Sequence, residues 1–203
     1  MTESVYRKVV TPSRCAFVLC FPVTKDDFYE SKARPASDYT KRFWNFLEYR
    51  KRFLDDYLKL RLIMSRLGVH IIENASLTDF SQVWGGAVDA VVLFSHWSDE
   101  RVEYHDGLET IERVIEQIPT YSVGTLDLCV CHPRGLVDRL ARDRGLLLVK
   151  SIWVTANPIY WCMFYITLFQ VLASRSLSYP DALDQTLDAW LDRLNRGRKG
   201  NEE

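Results

Sequence analysis

What this sequence lacks narrows its class before any motif is considered. The 203 residues carry a formal net charge of −1, so the chain has no strongly basic domain of the kind that nucleic-acid-binding proteins usually contain. It has five cysteines, an odd number, and most of them lie in apolar runs. We therefore expect reduced, buried thiols in a cytoplasmic protein rather than a disulfide scaffold. The N-terminus lacks an apolar core followed by a small-residue cleavage site, so we expect no signal peptide.

Long apolar runs and glycine-rich loops are also missing. The apolar run at residues 159–173 falls short of the roughly 20 residues that a membrane-spanning helix requires. We predict that Pro158 begins a helix buried in the core, and we expect no membrane interaction. No glycine-rich phosphate loop is present, which disfavours a nucleotide-binding α/β protein. We expect no cofactor.

Apolar runs alternate with helical patterns through most of the chain. This alternation predicts an α/β fold in which helices flank both faces of a mainly parallel central sheet. We predict a single domain over residues 1–196 and a disordered tail over residues 197–203. The predicted strands cover residues 14–23, 69–73, 90–97, 126–132 and 146–154.

A long helix is predicted over residues 38–67, with Asp38 as its N-cap and Gly68 as its stop. Residues 24–37 are predicted to form a surface loop, and residues 106–116 a helix. The polar face of the long helix carries eight basic and four acidic residues. That face is either simply solvated or a docking surface for an acidic partner.

Two of the predicted strands end in side chains capable of catalysis. His96 ends one apolar strand and Cys131 ends another. Because parallel strands bring their carboxyl ends to the same edge of a sheet, we expect the two residues to lie close together. A thiol beside an imidazole can act as a cysteine nucleophile with a general base. Cys15, Cys20 and Cys162 are interpreted as small buried hydrophobic residues.

Other interpretations of these residues remain open at the level of sequence. His96 is equally compatible with a structural hydrogen-bonding role. His132 would point to the opposite face of its strand from Cys131. Cys129, Cys131 and His132 are clustered, but structural zinc sites usually add a second ligand pair, and none lies nearby. We therefore predict no metal.

The order and spacing of these elements resemble the caspase-like cysteine peptidases, and most closely the CHAT subfamily. In that family one strand ends in His-Gly and a later strand ends in Ser-Ala-Cys-x-Thr-Gly. Here Cys131 lies 35 positions after His96, a spacing similar to that of the family. Lys-Ser-Ile-Trp-Val at residues 150–154 resembles the family's Ser-Leu-Trp-Pro-Val strand. The resemblance covers about residues 69–194.

The resemblance implies a caspase-like three-layer sandwich that works as a cysteine endopeptidase on a protein substrate. Cys131 matches the nucleophile and His96 the general base. The backbone N–H groups of Trp97 and Cys131 match the oxyanion hole. Cys129 matches a position that lines the substrate pocket. The edge that pairs with an extended substrate corresponds to Ile152, Trp153 and Val154.

Three departures from the family pattern leave two functions open. The family's glycine after the histidine is replaced by Trp97, and its Thr-Gly after the cysteine by Pro133-Arg134-Gly135. Cys129 stands where metacaspases carry an acidic residue. Such changes indicate either unusual specificity or an inactive module that acts by binding proteins. Because the chain has no room for the sensor domains common in the family, the enzyme hypothesis predicts a separate activating protein.

Overall fold

The computed structural model describes residues 8–35, 37–98, 100–120, 124–130, 137–140, 148–151 and 158–199. Five of its strands form one parallel sheet with the order β2-β1-β3-β7-β8. Three short strands form a separate antiparallel sheet with the order β4-β5-β6. The strands are β1 Cys15–Leu19, β2 His70–Ile72, β3 Ala90–Phe94, β4 His96–Ser98, β5 Arg101–Tyr104, β6 Gly107–Thr110, β7 Thr125–Cys129 and β8 Leu148–Ser151.

Helices connect these strands and cover the parallel sheet. A π-helical segment, Arg50–Leu54, joins the second and third helices into one continuous helical stretch. None of the helices among the described residues is both long enough and apolar enough to span a membrane. The helices are α1 Lys25–Ala33, α2 Phe46–Tyr49, α3 Asp55–Arg66, α4 Leu77–Val83, α5 Ile111–Glu116, α6 Pro158–Ser174 and α7 Tyr179–Lys199.

The central strands are buried on both faces, so their side chains contribute to two separate hydrophobic cores. Phe17 and Phe94 point to one face, where α2, α3, α6 and α7 pack. Val18 and Leu93 point to the other face, against α4, α5 and part of the small sheet. The prediction of an α/β fold with a parallel sheet flanked by helices is confirmed, because near-continuous apolar runs are what doubly covered strands require.

The long helix predicted over residues 38–67 begins later than expected. Asn45 is the N-cap, and its side chain accepts a 3.0 Å hydrogen bond from the Glu48 N–H. The prediction of Asp38 as N-cap is wrong, because the loop that contains it is drawn toward Glu103 instead. The prediction of a loop over residues 24–37 is also wrong, since α1 occupies most of it and Thr24 caps that helix.

The region after β3 differs from the prediction as well. The strand predicted over residues 90–97 ends at Phe94, and His96 begins β4 of the antiparallel sheet. The helix predicted from residue 106 begins at Ile111, because residues 107–110 pair with β5 across a tight turn. Residues 197–199, predicted as the start of a disordered tail, are the last turn of α7.

Candidate active site

His96 lies at the carboxyl edge of the parallel sheet, where the strand order reverses. It follows β3 by two residues, and β3 is paired with β1 on one side and β7 on the other. The Ser95 N–H donates a 3.2 Å hydrogen bond to the carbonyl of Cys129, which joins the ends of β3 and β7. Sites of open α/β sheets are found at such reversal points. His96 itself is 5% exposed.

The imidazole of His96 is covered by two side chains from the loop before α2. The guanidinium of Arg42 lies 2.7 Å from the ring, with Nη2 donating to Nε2. The ring of Tyr39 packs beside it, with 5.7 Å between the ring centroids. Because an arginine has no acceptor, Nε2 must carry the lone pair and the ring proton resides on Nδ1.

These surroundings keep His96 neutral. Burial and, to a smaller extent, the positive charge of Arg42 lower the pKa of His96 from 6.5 to about 4, and Asp38 partly opposes both effects. At pH 7 the ring is therefore in the protonation state that a general base needs. Its accepting nitrogen, however, is occupied by Arg42.

Glu103 holds the covering loop in place. It lies opposite His96 in the β4–β5 pairing and is 4% exposed. Its carboxylate accepts hydrogen bonds of 2.6 Å from the Ser37 hydroxyl and 3.0 Å from the Tyr39 N–H. The Asp38 N–H also donates to it. Burial raises the pKa of Glu103, and these hydrogen bonds to the charged form oppose the increase.

A cluster of buried hydroxyls ties the same loop to α1. The hydroxyls of Ser31, Ser37 and Thr40 lie 3.0 to 3.1 Å from one another. Thr40 begins the 3₁₀ turn that ends at Arg42. The position of Arg42 over His96 is thus set by a polar network in which buried groups satisfy one another.

Trp97 is placed so that its indole does not cover the imidazole. Its side chain packs against the hydrophobic core on the α4 and α5 face, whereas His96 contacts Tyr39 of the opposite core. Among the described non-glycine residues, a positive φ occurs only at Asn74 and Glu100. A tryptophan in this strand is therefore not strained where the resemblance would place a glycine.

Cys129 is the last residue of β7 and is 9% exposed. Its side chain belongs to the core beneath α6, where it makes a hydrogen bond with the Tyr165 hydroxyl. A role for Cys129 in lining a substrate pocket stays a prediction. The remaining predicted site residues and their flanks lie outside the described residues: Cys131, His132, Pro133, Arg134, Gly135, Ile152, Trp153 and Val154.

The other cysteines and histidines of the described residues lie apart from this edge or are unsuited to catalysis. Burial raises the pKa of the Cys15 and Cys162 thiols to about 12 and that of Cys20 still higher, so none is a ready nucleophile. His105 lies in the β5–β6 turn and His70 on the exposed edge strand β2. No group of three or more histidine, cysteine or acidic side chains among the described residues is placed to hold a metal.

Sequence reasoning missed the residues that surround His96. Arg42 is 54 positions away and belongs to a basic run that is typical of a helix surface. Tyr39 and Glu103 gave no signal either, because each reads as an ordinary core or loop residue. Only the excess of basic residues on the predicted long helix, which begins with Lys41 and includes Arg42, marked this segment as unusual.

The sequence matches no protein-family model and no curated protein. Function must therefore be argued from the site and its chemistry.

Proposed function

We propose that the protein is a caspase-like cysteine endopeptidase in which Cys131 is the nucleophile and His96 the general base. One observation carries the proposal. Strands β3 and β7 are parallel neighbours, with Phe94 opposite Cys129, so the segments that follow them leave the same edge of the sheet. His96 is in the first of these segments, and Cys131 is two residues beyond Cys129 in the second.

The proposed chemistry uses a neutral imidazole at this edge. Nε2 of His96 removes the proton from the Cys131 thiol, and the thiolate attacks the peptide carbonyl carbon. When the tetrahedral intermediate collapses, the imidazolium returns that proton to the leaving amine and the C–N bond breaks. Water then attacks the thioester, His96 again acts as base, and the carboxylate product and the thiol are released.

Two further parts of the site follow from the resemblance. The backbone N–H groups of Trp97 and Cys131 would stabilise the oxyanion, an effect worth several kcal/mol in related chemistry. Residues 152–154 directly follow β8, the last strand of the sheet among the described residues. A terminal strand has unpaired backbone groups, which favours substrate binding by strand addition there.

The contact between Arg42 and His96 supports a resting state that needs a separate activating protein. As long as Nε2 accepts from Arg42, it cannot accept the thiol proton. The four described cysteines are buried thiols, which supports the proposal of a cytoplasmic protein.

The same contact favours a second candidate function, an inactive caspase-like module that acts by binding proteins. In that case Arg42 is a permanent partner of His96 and the imidazole is a structural hydrogen-bonding group. The two functions differ in whether the Cys131 thiol reacts with an electrophile aimed at a peptidase site.

A peptidyl acyloxymethyl ketone panel with varied P1 residues distinguishes them. In Arg42→Ala, which lacks the contact that occupies Nε2, we expect one adduct per chain by intact-protein mass spectrometry, absent when Cys131→Ala is added and formed about 100-fold more slowly or worse when His96→Gln is added. Cys20→Ala is the control and should label normally, because the Cys20 thiol is buried. Absence of labelling at Cys131, with the loop contact removed by Arg42→Ala, would support the inactive module. Undiminished substrate cleavage by Cys131→Ala would refute the peptidase.

A further inference from the structure

An exposed apolar pair lies beside the loop that covers His96. Trp44 is 85% exposed and Leu47 is 58% exposed, the two highest values among the exposed large apolar side chains of the described residues. An indole that stays this exposed contributes little hydrophobic free energy to folding. Such residues on a protein surface mark sites where another molecule binds.

The backbone beneath the indole is held firmly. The Trp44 N–H donates a 2.7 Å hydrogen bond to the Glu48 carboxylate, and its carbonyl accepts a 2.8 Å hydrogen bond from the Lys32 ammonium. Asn45, the next residue, caps α2. The indole is therefore presented on a fixed backbone, which lowers the entropy cost of binding.

Basic residues flank this apolar pair in the sequence. Residues 41–52 contain five basic residues and one acidic residue, Glu48, which is already engaged with Trp44 and Arg52. Lys51 lies one helical turn beyond Leu47, on the same side of the helix, and is exposed. We call the group Lys41, Arg42, Trp44, Leu47 and Lys51 the basic–aromatic surface.

We infer that the basic–aromatic surface binds an acidic peptide segment of a partner protein, and that this partner draws Arg42 away from His96. Trp44 and Leu47 contact an apolar side chain of the segment, while Lys41 and Lys51 pair with its carboxylates. A planar guanidinium such as that of Arg42 suits a carboxylate, which it binds in a bidentate manner.

Arg42 connects the surface to the catalytic edge. Its side chain is exposed on the outside and donates to His96 on the inside. A partner carboxylate would neutralise its charge and release the accepting nitrogen of His96. The inference rests on the proposed function only in its second half, since peptide binding at the surface does not require catalysis.

A peptide fits this surface better than a membrane. Helices that lie on membranes present a long apolar face, whereas α2 and its flank offer two apolar side chains. Anionic vesicles are therefore a test of the alternative.

Binding is measured by fluorescence anisotropy with a panel of fluorescein-labelled peptides rich in glutamate around one central leucine, phenylalanine or tryptophan. We expect at least one peptide to bind, and to bind about tenfold more weakly when its glutamates are replaced by glutamine or when salt is raised. Trp44→Ala and Lys51→Gln should each weaken binding about fivefold or more. Lys59→Gln and Leu62→Ala, exposed positions on α3, should bind normally. No binding by any peptide, or binding of phosphatidylserine vesicles in its place, overturns the inference.

The Arg42 step is tested by NMR titration of the His96 ring. Arg42→Ala should raise the pKa of His96 from about 4 toward its ordinary range, and saturating peptide should do the same in the wild-type protein. Arg66→Ala, which removes an exposed positive charge on α3 outside the basic–aromatic surface, is the matched control and should leave the titration unchanged. A His96 pKa that is unmoved by Arg42→Ala or by bound peptide overturns the release of His96, whatever the outcome of the peptidase assays.

Discussion

At the scale of single residues, His96 is governed by its neighbours rather than by its place in the sequence. Its ring is buried against Tyr39 and faces the Arg42 guanidinium, and both conditions oppose a positive charge on the imidazole. Asp38 and Glu103 are the acidic groups nearby, and Glu103 is directed at backbone N–H groups of the loop. The neutral state of the ring therefore affects the stability of the fold as well as the proposed catalysis.

This arrangement predicts a pH dependence of stability. The unfolded chain binds a proton at His96 near pH 6.5, whereas the folded chain does so only near pH 4, so protons favour unfolding between these values. The contribution of His96 is complete above pH 6.5 and is lost as the pH falls toward 4. We expect a loss of about 1 to 2 kcal/mol, less than the full linkage because exposed Arg42 brings solvent close.

Urea unfolding at several pH values between 4 and 7.5 measures the effect. The difference in unfolding free energy between wild type and His96→Gln should grow with pH across this window and then level off. His70→Gln, at an exposed position, is the control and should run parallel to the wild type. A His96→Gln curve parallel to the wild type would contradict the burial of a neutral ring.

At the scale of elements, the segment between α1 and α2 is organised by β5. Glu103 accepts from Ser37 on one carboxylate oxygen and from the Tyr39 N–H on the other, with Asp38 N–H shared between them. The loop thereby becomes a rigid cover over the site. Buried carboxylates are tolerated only when hydrogen bonds satisfy them in this way.

Glu103→Gln should break this arrangement despite its similar size. Only one of the two amide positions is an acceptor, so either the Ser37 hydroxyl or the Tyr39 N–H loses a charged acceptor and faces an NH₂ donor. We expect a loss of about 1 to 3 kcal/mol in the free energy of unfolding, measured by urea denaturation. Glu116→Gln, an exposed position on α5, should change stability little. Equal stability of the two variants would show that the carboxylate does not hold the loop.

The local sequence pattern predicted the presence of the helices better than the residues at which they begin. The apolar spacing of residues 46–66 predicts a helix, and one is present. Its start moved from Asp38 to Phe46 because the side chain of Glu103, distant in sequence, captures the N–H groups of Asp38 and Tyr39. The Asp106-Gly107 pair is a local hairpin signal, and in the structure Tyr104 pairs with Gly107 so that His105 and Asp106 form the turn between β5 and β6.

At the scale of the whole molecule, one buried contact joins the last helix to the centre of the sheet. Asp127 of β7 is completely buried, and the Tyr179 hydroxyl donates a 2.7 Å hydrogen bond to it across 52 positions. Tyr179 is itself completely buried at the start of α7. The contact holds α7 against the strand that leads toward Cys131.

Tyr179→Phe removes this hydroxyl while preserving the ring. We expect a loss of about 1 to 3 kcal/mol in stability, because a buried carboxyl group loses a donor. Thermal and urea unfolding should both show it. Tyr160→Phe is the matched control, since Tyr160 is 52% exposed on α6 and should change stability by a few tenths of a kcal/mol at most. A Tyr179→Phe variant as stable as that control would mean that Asp127 does not depend on the hydroxyl.

The sequence by itself determined the α/β class, the central strands and the buried helix after Pro158. Those properties follow from apolar runs and their spacing, which are local patterns that can be read without knowing the contacts made with the rest of the chain. It also singled out His96, since a histidine that follows an apolar strand is visible in the pattern. The tertiary structure alone decided that Arg42 covers His96, that Trp97 turns away from it and that Glu103 holds the loop. These contacts join residues up to 66 positions apart, and they arise from packing and hydrogen-bond satisfaction, which no local pattern encodes.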